Sequence, residues 1–194
     1  MAYGDNLLVN PSAETEDMSG WIVTPEDSVT VEENITEETE YLPEVDGHSI
    51  WSEQEKIFVL EGPAGDFCFI FASDGDAEMS QILYASDIGT QPESFQFNIK
   101  FKLTTEQDLW DNSVLGFSKL KIIYTDNTVD YFLIPLIIGV KSSDRYLFNF
   151  WVLVQNICTV DEDKVLDYVE ISVKASDFIN GLKIDYIELR KEIE

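Results

Sequence analysis

The side chains best suited to gripping a ligand are four aromatic residues in polar settings: Trp51, Trp110, Tyr41 and Tyr84. A flat aromatic face packs on the C–H surface of a pyranose ring, and polar neighbours hydrogen-bond its hydroxyls. Trp51 closes an acid-rich stretch, and Trp110 sits in Glu106-Gln107-Asp108-Leu109-Trp110-Asp111-Asn112, between two strand-like runs. An indole exposed there is costly unless it contacts something. That contact is a sugar ring on one reading and a loop anchor or subunit interface on the other. Tyr41 and Tyr84 are weaker candidates of the same kind. Trp151 lies in Phe148-Asn149-Phe150-Trp151-Val152, a run too apolar for a solvent-facing platform.

Catalytic chemistry has little to work with. His48 is the only histidine, so a histidine metal cluster is impossible, and a triad would need Ser and Asp partners that nothing marks out. The chain has no Gly-x-Ser-x-Gly elbow, phosphate loop or dinucleotide fingerprint. A glycosidase pair of carboxylates stays open in so acidic a chain, yet no pair stands out. The expectation is a protein that binds rather than catalyses, with no catalytic residue.

Twelve basic residues against 38 acidic ones give a net charge of −26 over 194 residues. Only Lys56 is basic before Lys100, so the first half is almost purely acidic. Such a surface repels phosphate backbones and anionic lipid, which argues against nucleic-acid or membrane partners. Solubility, or salty surroundings, explains most of this charge; a few clustered carboxylates would also suffice to hold Ca²⁺. No run is long and apolar enough to span a bilayer. The longest, Tyr131 to Val140, is broken by Pro135 and reads as buried strand. Cys68 and Cys158 both sit in apolar runs without metal-type spacing, as free thiols buried in a core made in a reducing compartment.

Strand signals dominate the elements that must position these groups. Phe67 to Phe71, Phe95 to Leu103, Leu120 to Tyr124, Tyr131 to Ile138, Leu147 to Val154, Val169 to Val173 and Leu182 to Leu189 are all candidates. The Phe95 run alternates apolar and polar strictly, as a half-buried strand should. Thr125-Asp126-Asn127-Thr128 reads as a hairpin turn. No segment has sustained helical periodicity. The pattern predicts an all-β, antiparallel β-sandwich formed as one domain over residues 1–194. Residues 32–55 read as a long acidic surface loop following a strand that includes Val29-Thr30-Val31, and long loops are more often functional than idle.

Two segments at opposite ends of the chain add a resemblance. They are Asn6-Leu7-Leu8-Val9-Asn10-Pro11-Ser12-Ala13-Glu14 with Ser19-Gly20-Trp21, and Leu182-Lys183-Ile184-Asp185-Tyr186-Ile187-Glu188-Leu189. They read as the first and last strands of the sandwich, and they resemble those of bacterial and phage jelly-roll modules. These are the carbohydrate-binding modules attached to xylanases and related enzymes, and similar domains of phage tail proteins. The last strand of that family carries Ile-Asp-Asp-hydrophobic; here Tyr186 replaces the second Asp. Gly62 to Phe67 followed by Ala77 to Leu83 resembles the family's strand pair ending in Ser-Gln-x-Ile/Leu.

The resemblance implies jelly-roll topology and a core position for Trp21. It also implies a structural Ca²⁺ tying the first strand to the last, with Glu14 and Asp185 as side-chain ligands and carbonyls such as that of Ser12 completing the shell. Three function classes follow. One is a non-catalytic phage virion subunit of tail, baseplate or decoration type, contacting other virion proteins or host-surface glycan. The others are a carbohydrate-binding module of a secreted enzyme and a small glycoside-active enzyme. The segment Met1-Ala2-Tyr3-Gly4-Asp5 has neither the basic patch nor the apolar core of an export signal. That favours a virion protein made in the host cytosol over an extracellular one, and a symmetric homo-oligomer such as a trimer.

Overall fold

The computed structural model describes residues 2–34, 57–61, 65–71, 76–103, 114–137, 141–142, 145–146, 151–175 and 182–193. Of the expected features, the acidic loop beyond Asn34, Tyr41, His48, Trp51 and Trp110 lie outside these residues. The strands are β1 (Ala2–Asn6), β2 (Ile22–Thr24), β3 (Val29–Glu33), β4 (Ile57–Glu61), β5 (Phe67–Phe71), β6 (Ala77–Tyr84) and β7 (Ser94–Leu103). They continue as β8 (Val114–Tyr124), β9 (Val129–Ile137), β10 (Lys141–Ser142), β11 (Arg145–Tyr146), β12 (Trp151–Thr159), β13 (Leu166–Ala175) and β14 (Leu182–Ile193). A single helical turn, α1 (Ala85–Ile88), follows β6.

Two antiparallel sheets face each other in a jelly-roll sandwich. One runs β3-β5-β14-β7-β12-β4, with β1 also paired to β14; the other runs β2-β6-β13-β8-β9. Strand alternation fills the space between them. Phe95, Phe97, Ile99 and Phe101 point inward from β7, and Val169, Ile171 and Val173 point inward from β13. Both sets belong to one apolar cluster, with Leu120 and Ile122 of β8 and Ile184, Ile187 and Leu189 of β14. Leu166 and Val160 close one end of it, where Tyr124 donates to Asp130 at 2.8 Å and accepts from the Asp161 amide at 2.9 Å.

In β14 the apolar positions 182, 184, 187 and 189 are all buried, at spacings of two, three and two. A regular strand cannot put all four on one face, because side chains alternate strictly. The register against β7 shifts between Ile184 and Tyr186, so one extra residue is absorbed there as a β-bulge. Ile187 and Leu189 thereby return to the core, and Asp185 becomes the residue the ladder does not pair.

Several expectations change in detail. The first strand ends at Asn6, not at the Asn-Pro-x-x-Glu segment, so Glu14 lies in a loop. Pro11 has no N–H to give a ladder, and Asn10 and Ala13 take left-handed φ values of 44° and 58°. The apolar run from Tyr131 is not uniformly buried. It forms most of β9, an edge strand, and Tyr131 is 62% exposed while Ile134 is fully buried. Trp151 is buried as expected, but its register opposite Lys102 places it on the outer face of the sheet. The strand expected from Leu147 is described as β12 from Trp151 to Thr159.

Cys68 and Cys158 are free and fully buried, and burial pushes the Cys68 thiol up to about 11. Neither thiol should react with a disulfide reagent at pH 8 until denaturant is added; a fast-reacting thiol in the folded protein would contradict this packing. Phe97→Ala should cost about 3–5 kcal/mol, seen as a lower urea midpoint with an unchanged slope.

Candidate functional site

Two places concentrate groups that the fold alone does not require. The first is a polar node where the chain ends meet. It starts from the loop after β1, which Asn10 folds from within. The Asn10 side chain donates to the Asp17 carbonyl at 2.8 Å and accepts from the Thr15 amide at 3.4 Å, while its carbonyl accepts from Trp21 Nε1 at 2.9 Å. Asp17 caps the same loop, accepting from Thr15 Oγ1 and the Ser19 amide and hydroxyl. Those hydrogen bonds hold its carboxyl below the usual carboxylate range. Trp21, buried against Phe69 at a ring separation of 5.9 Å, fixes the far end, which is the core role expected of it.

The loop is docked on the last strand. The Ile187 amide donates to the Pro11 carbonyl at 2.9 Å, and the Asn6 side chain bridges the Ile187 carbonyl and the Leu189 amide at 3.0 Å each. This leaves Glu14 over the start of β5, where its Oε1 accepts from the Phe67 amide at 3.1 Å. A Cβ on Gly65 would lie 2.0 Å from Glu14 Oε1, so a larger residue there would push the Glu14 carboxylate aside.

Asp185, fully buried in its bulge, reaches the same segment through Asn34. The Asn34 amide nitrogen lies 3.0 Å from Asp185 Oδ1, 3.0 Å from the Gly65 carbonyl and 3.1 Å from the Phe67 carbonyl. The Asn34 main-chain amide donates to the Asp66 carbonyl at 2.6 Å. An amide carries two protons, so three oxygens converge on a nitrogen able to serve two of them at once. Glu14 thus touches the Gly65–Phe67 segment directly, while Asp185 is linked to it only through Asn34. Ser12 sits half-buried in the same loop, though the carbonyl seen to bind β14 is that of Pro11.

The donor chemistry of this node fits a calcium ion. Carboxylate and carbonyl oxygens are the hard ligands Ca²⁺ takes, in flexible geometry. Among the described residues no three carboxylate, thiolate or imidazole side chains gather around one point, so main-chain carbonyls would have to supply much of the shell.

The second place is the outer face of the five-stranded sheet. Six of the ten most exposed large apolar residues among those described are on it: Ile22, Ile82, Tyr84, Phe117, Tyr131 and Leu133. Register sets them in rows. Tyr84 stands beside Tyr168, with ring centroids 6.0 Å apart and planes tilted by 52°. The next row runs Ile82, Glu170, Lys121, Tyr131, with Lys121 paired to Glu170. The row after it runs Ile22, Ser80, Ser172, Lys119, Leu133. Serines stand at its centre between larger side chains, Ser80 half-buried and Ser172 buried, and set a shallow trough across the sheet.

Of the four aromatic residues expected to touch a ligand, only Tyr84 is among those described, and it is 55% exposed at one end of this trough. Sequence reading missed Tyr168, Tyr131 and Phe117. Their signal was available in the alternation of β13, β9 and β8, where each falls out of phase with the core residues of its own strand.

No protein-family model matches the chain, and no curated protein matches it. Solved structures do. The chain aligns over 96% of its length with the enzymatically active domain of tailspike protein 4 from bacteriophage CBA120, at 16% identity and a TM-score of 0.54. It spans 21% of that chain, about a fifth. It aligns over 97% of its length with 100% of TmCBM61, solved in complex with β-1,4-galactotriose, at 14% identity and a TM-score of 0.51. The xylan-binding CBM22-1 domain of Paenibacillus barcinonensis Xyn10C is matched over 98% of this chain and 97% of its own, at 14% identity and a TM-score of 0.48. The first two likenesses show the fold, a jelly roll of the carbohydrate-binding-module type.

The node can be tested without any ligand. Gly65→Ala displaces the Glu14 carboxylate from the Phe67 amide, so it should cost about 1–2 kcal/mol and do no further harm when Glu14→Ala is already present. Additive losses in urea titrations of the double variant would contradict the contact.

Proposed function

We propose that this chain is a non-catalytic glycan-binding subunit of a phage virion, in a tail, baseplate or decoration position, and that it touches host-surface glycan. The observation that carries the glycan reading is the outer face of the five-stranded sheet. Tyr84, Tyr168, Tyr131 and Phe117 stand around a shallow trough there, in which Ser80, Lys119 and Lys121 are the half-buried polar groups, so apolar faces flank hydroxyl and charged groups. Sugar rings need that combination, aromatic surface for C–H faces and hydrogen-bonding groups between. The virion reading takes support from the tailspike likeness, and assembly into a homo-oligomer such as a trimer would suit such a subunit. A second reading, a carbohydrate-binding module of a secreted glycan-degrading enzyme, is favoured by the match to the full length of TmCBM61.

In either setting the polar node is the proposed structural calcium site. Glu14, Asp185 and carbonyls of the Pro11–Ser12 and Gly65–Phe67 segments would hold the ion. Bound there, it would join the loop after β1 to the bulge of β14 and so close a loop nearly as long as the chain. The protein's own part is to keep the bulge and the loop in register, through the Pro11 carbonyl and the Asn6 side chain.

Two experiments test this. On a glycan array the chain should bind at least one polysaccharide class, and Tyr84→Ala and Tyr168→Ala should each weaken that binding roughly tenfold with unchanged melting temperature. Silence across the array, or binding untouched by both variants, would remove this face from the account. For the ion, chelator should lower the melting temperature and Asp185→Ala should abolish that response; identical melting with and without chelator would remove the metal.

A further inference from the structure

Lys119 is the residue on that face whose chemistry the fold leaves unused. It projects from the middle of β8, half-buried between Ser172 on β13 and Leu133 on β9. The neighbouring lysines on the face are occupied: Lys121 by Glu170 and Lys174 by Asp76. Lys119 forms no ion pair or hydrogen bond among the described residues. With 38 acidic residues against 12 basic ones, carboxylates are abundant, and an ammonium that pairs with none of those described stands out. Its nearest polar neighbours along the row are two hydroxyls, Ser172 and then Ser80, neither of which can neutralise it.

We infer that the ligand of this face is an acidic glycan, a polysaccharide carrying uronate carboxylates, and that Lys119 reads the carboxylate. This rests on the glycan-binding reading of the same face. Neighbouring strands lie about 4.8 Å apart, so the row from Lys119 to Ser80 covers roughly 10 Å, the length of about two sugar residues. A carboxylate set on Lys119 leaves the next hydroxyls of the sugar over Ser80, because Ser172 between them is buried. One ammonium with a hydroxyl further along its row matches one carboxylate per sugar, whereas a densely sulfated chain calls for a cluster of cations.

The net charge of −26 opposes any polyanion at long range. At physiological ionic strength the Debye length is about 8 Å, so carboxylates on the opposite sheet and at the loop ends are largely screened. On the face itself Glu170 is paired with Lys121, and Glu78 stands opposite Lys174, one row away from Lys119. Lys119, half-buried and within direct contact of the ligand, is screened much less. Local pairing therefore decides affinity, while the distant charge slows association.

The test uses the full chain with polygalacturonate, alginate and glucuronoxylan, each beside its carboxyl-reduced form, and with neutral galactan. Affinity electrophoresis at physiological ionic strength should show at least one native uronate polymer bound roughly tenfold or more tighter than its reduced form. Lys119→Met, which keeps the aliphatic stem, should erase that difference without moving the melting temperature, and Lys119→Arg should keep it. Equal binding of native and reduced polymers, binding of galactan alone, or indifference to Lys119→Met would overturn this inference and leave the glycan face standing. Failure of every polymer, charged and neutral, would overturn both.

Discussion

The arrangement depends on how β14 is held. It pairs with β7 along most of its length, with β5 at one end and with β1 at the other, so it joins the first strand of the chain to the middle of its sheet. Its buried face carries Leu182, Ile184, Ile187 and Leu189, each fully removed from water. Burying four such side chains is worth on the order of 6–12 kcal/mol before the entropy of ordering them is charged against it. The three-residue gap in the middle of that set can be accommodated only by a bulge. The bulge in turn forces a carboxylate, Asp185, into a place without solvent.

A buried carboxylate is tolerated only with partners. Asn34 supplies one, and in doing so is drawn onto the Gly65–Phe67 segment, where Glu14 accepts from the Phe67 amide. The loop between β1 and β2 is shaped to deliver it. Its left-handed residues and its Asn10 and Asp17 hydrogen bonds fix a path that a strand could not follow. The two ends of the chain are thus joined by polar contacts as well as by the ladder. The opposite sheet carries the pairs Lys121–Glu170 and Lys174–Asp76 on its outer face, and the exposed apolar residues around them leave it able to make contacts of another kind.

Much of this was legible in the residues. Strict alternation from Phe95 to Leu103 and from Val169 to Lys174 announced strands with one apolar face, and both sit in the sheets as that pattern requires. That Glu14 and Asp185 both connect to the Gly65–Phe67 segment, one directly and one through Asn34, was suggested only through resemblance, because nothing local in either segment links them across 171 positions. The spacing of two, three and two in β14 was present as a bulge signal that alternation alone would have misplaced. Less legible was which face of each strand looks outward. Tyr131 sits in a run apolar enough to read as wholly buried, and its place on the outer face of β9, opposite Lys121, exposes it while Ile134 on the same strand is buried. An isolated indole in a polar segment, as at Trp51 and Trp110, is conspicuous, whereas Tyr168 and Phe117 are each embedded in an ordinary strand.

The most direct test of the central claim is a heteronuclear NMR titration of the labelled protein with a glycan that it binds. The account predicts amide shifts concentrated in β6, β8, β9 and β13, at residues such as Ser80, Tyr84, Lys119, Tyr131 and Tyr168, with β7 and β14 undisturbed. Shifts confined to the outer face of β7, β12 and β14, or to the loop after β1, would contradict it.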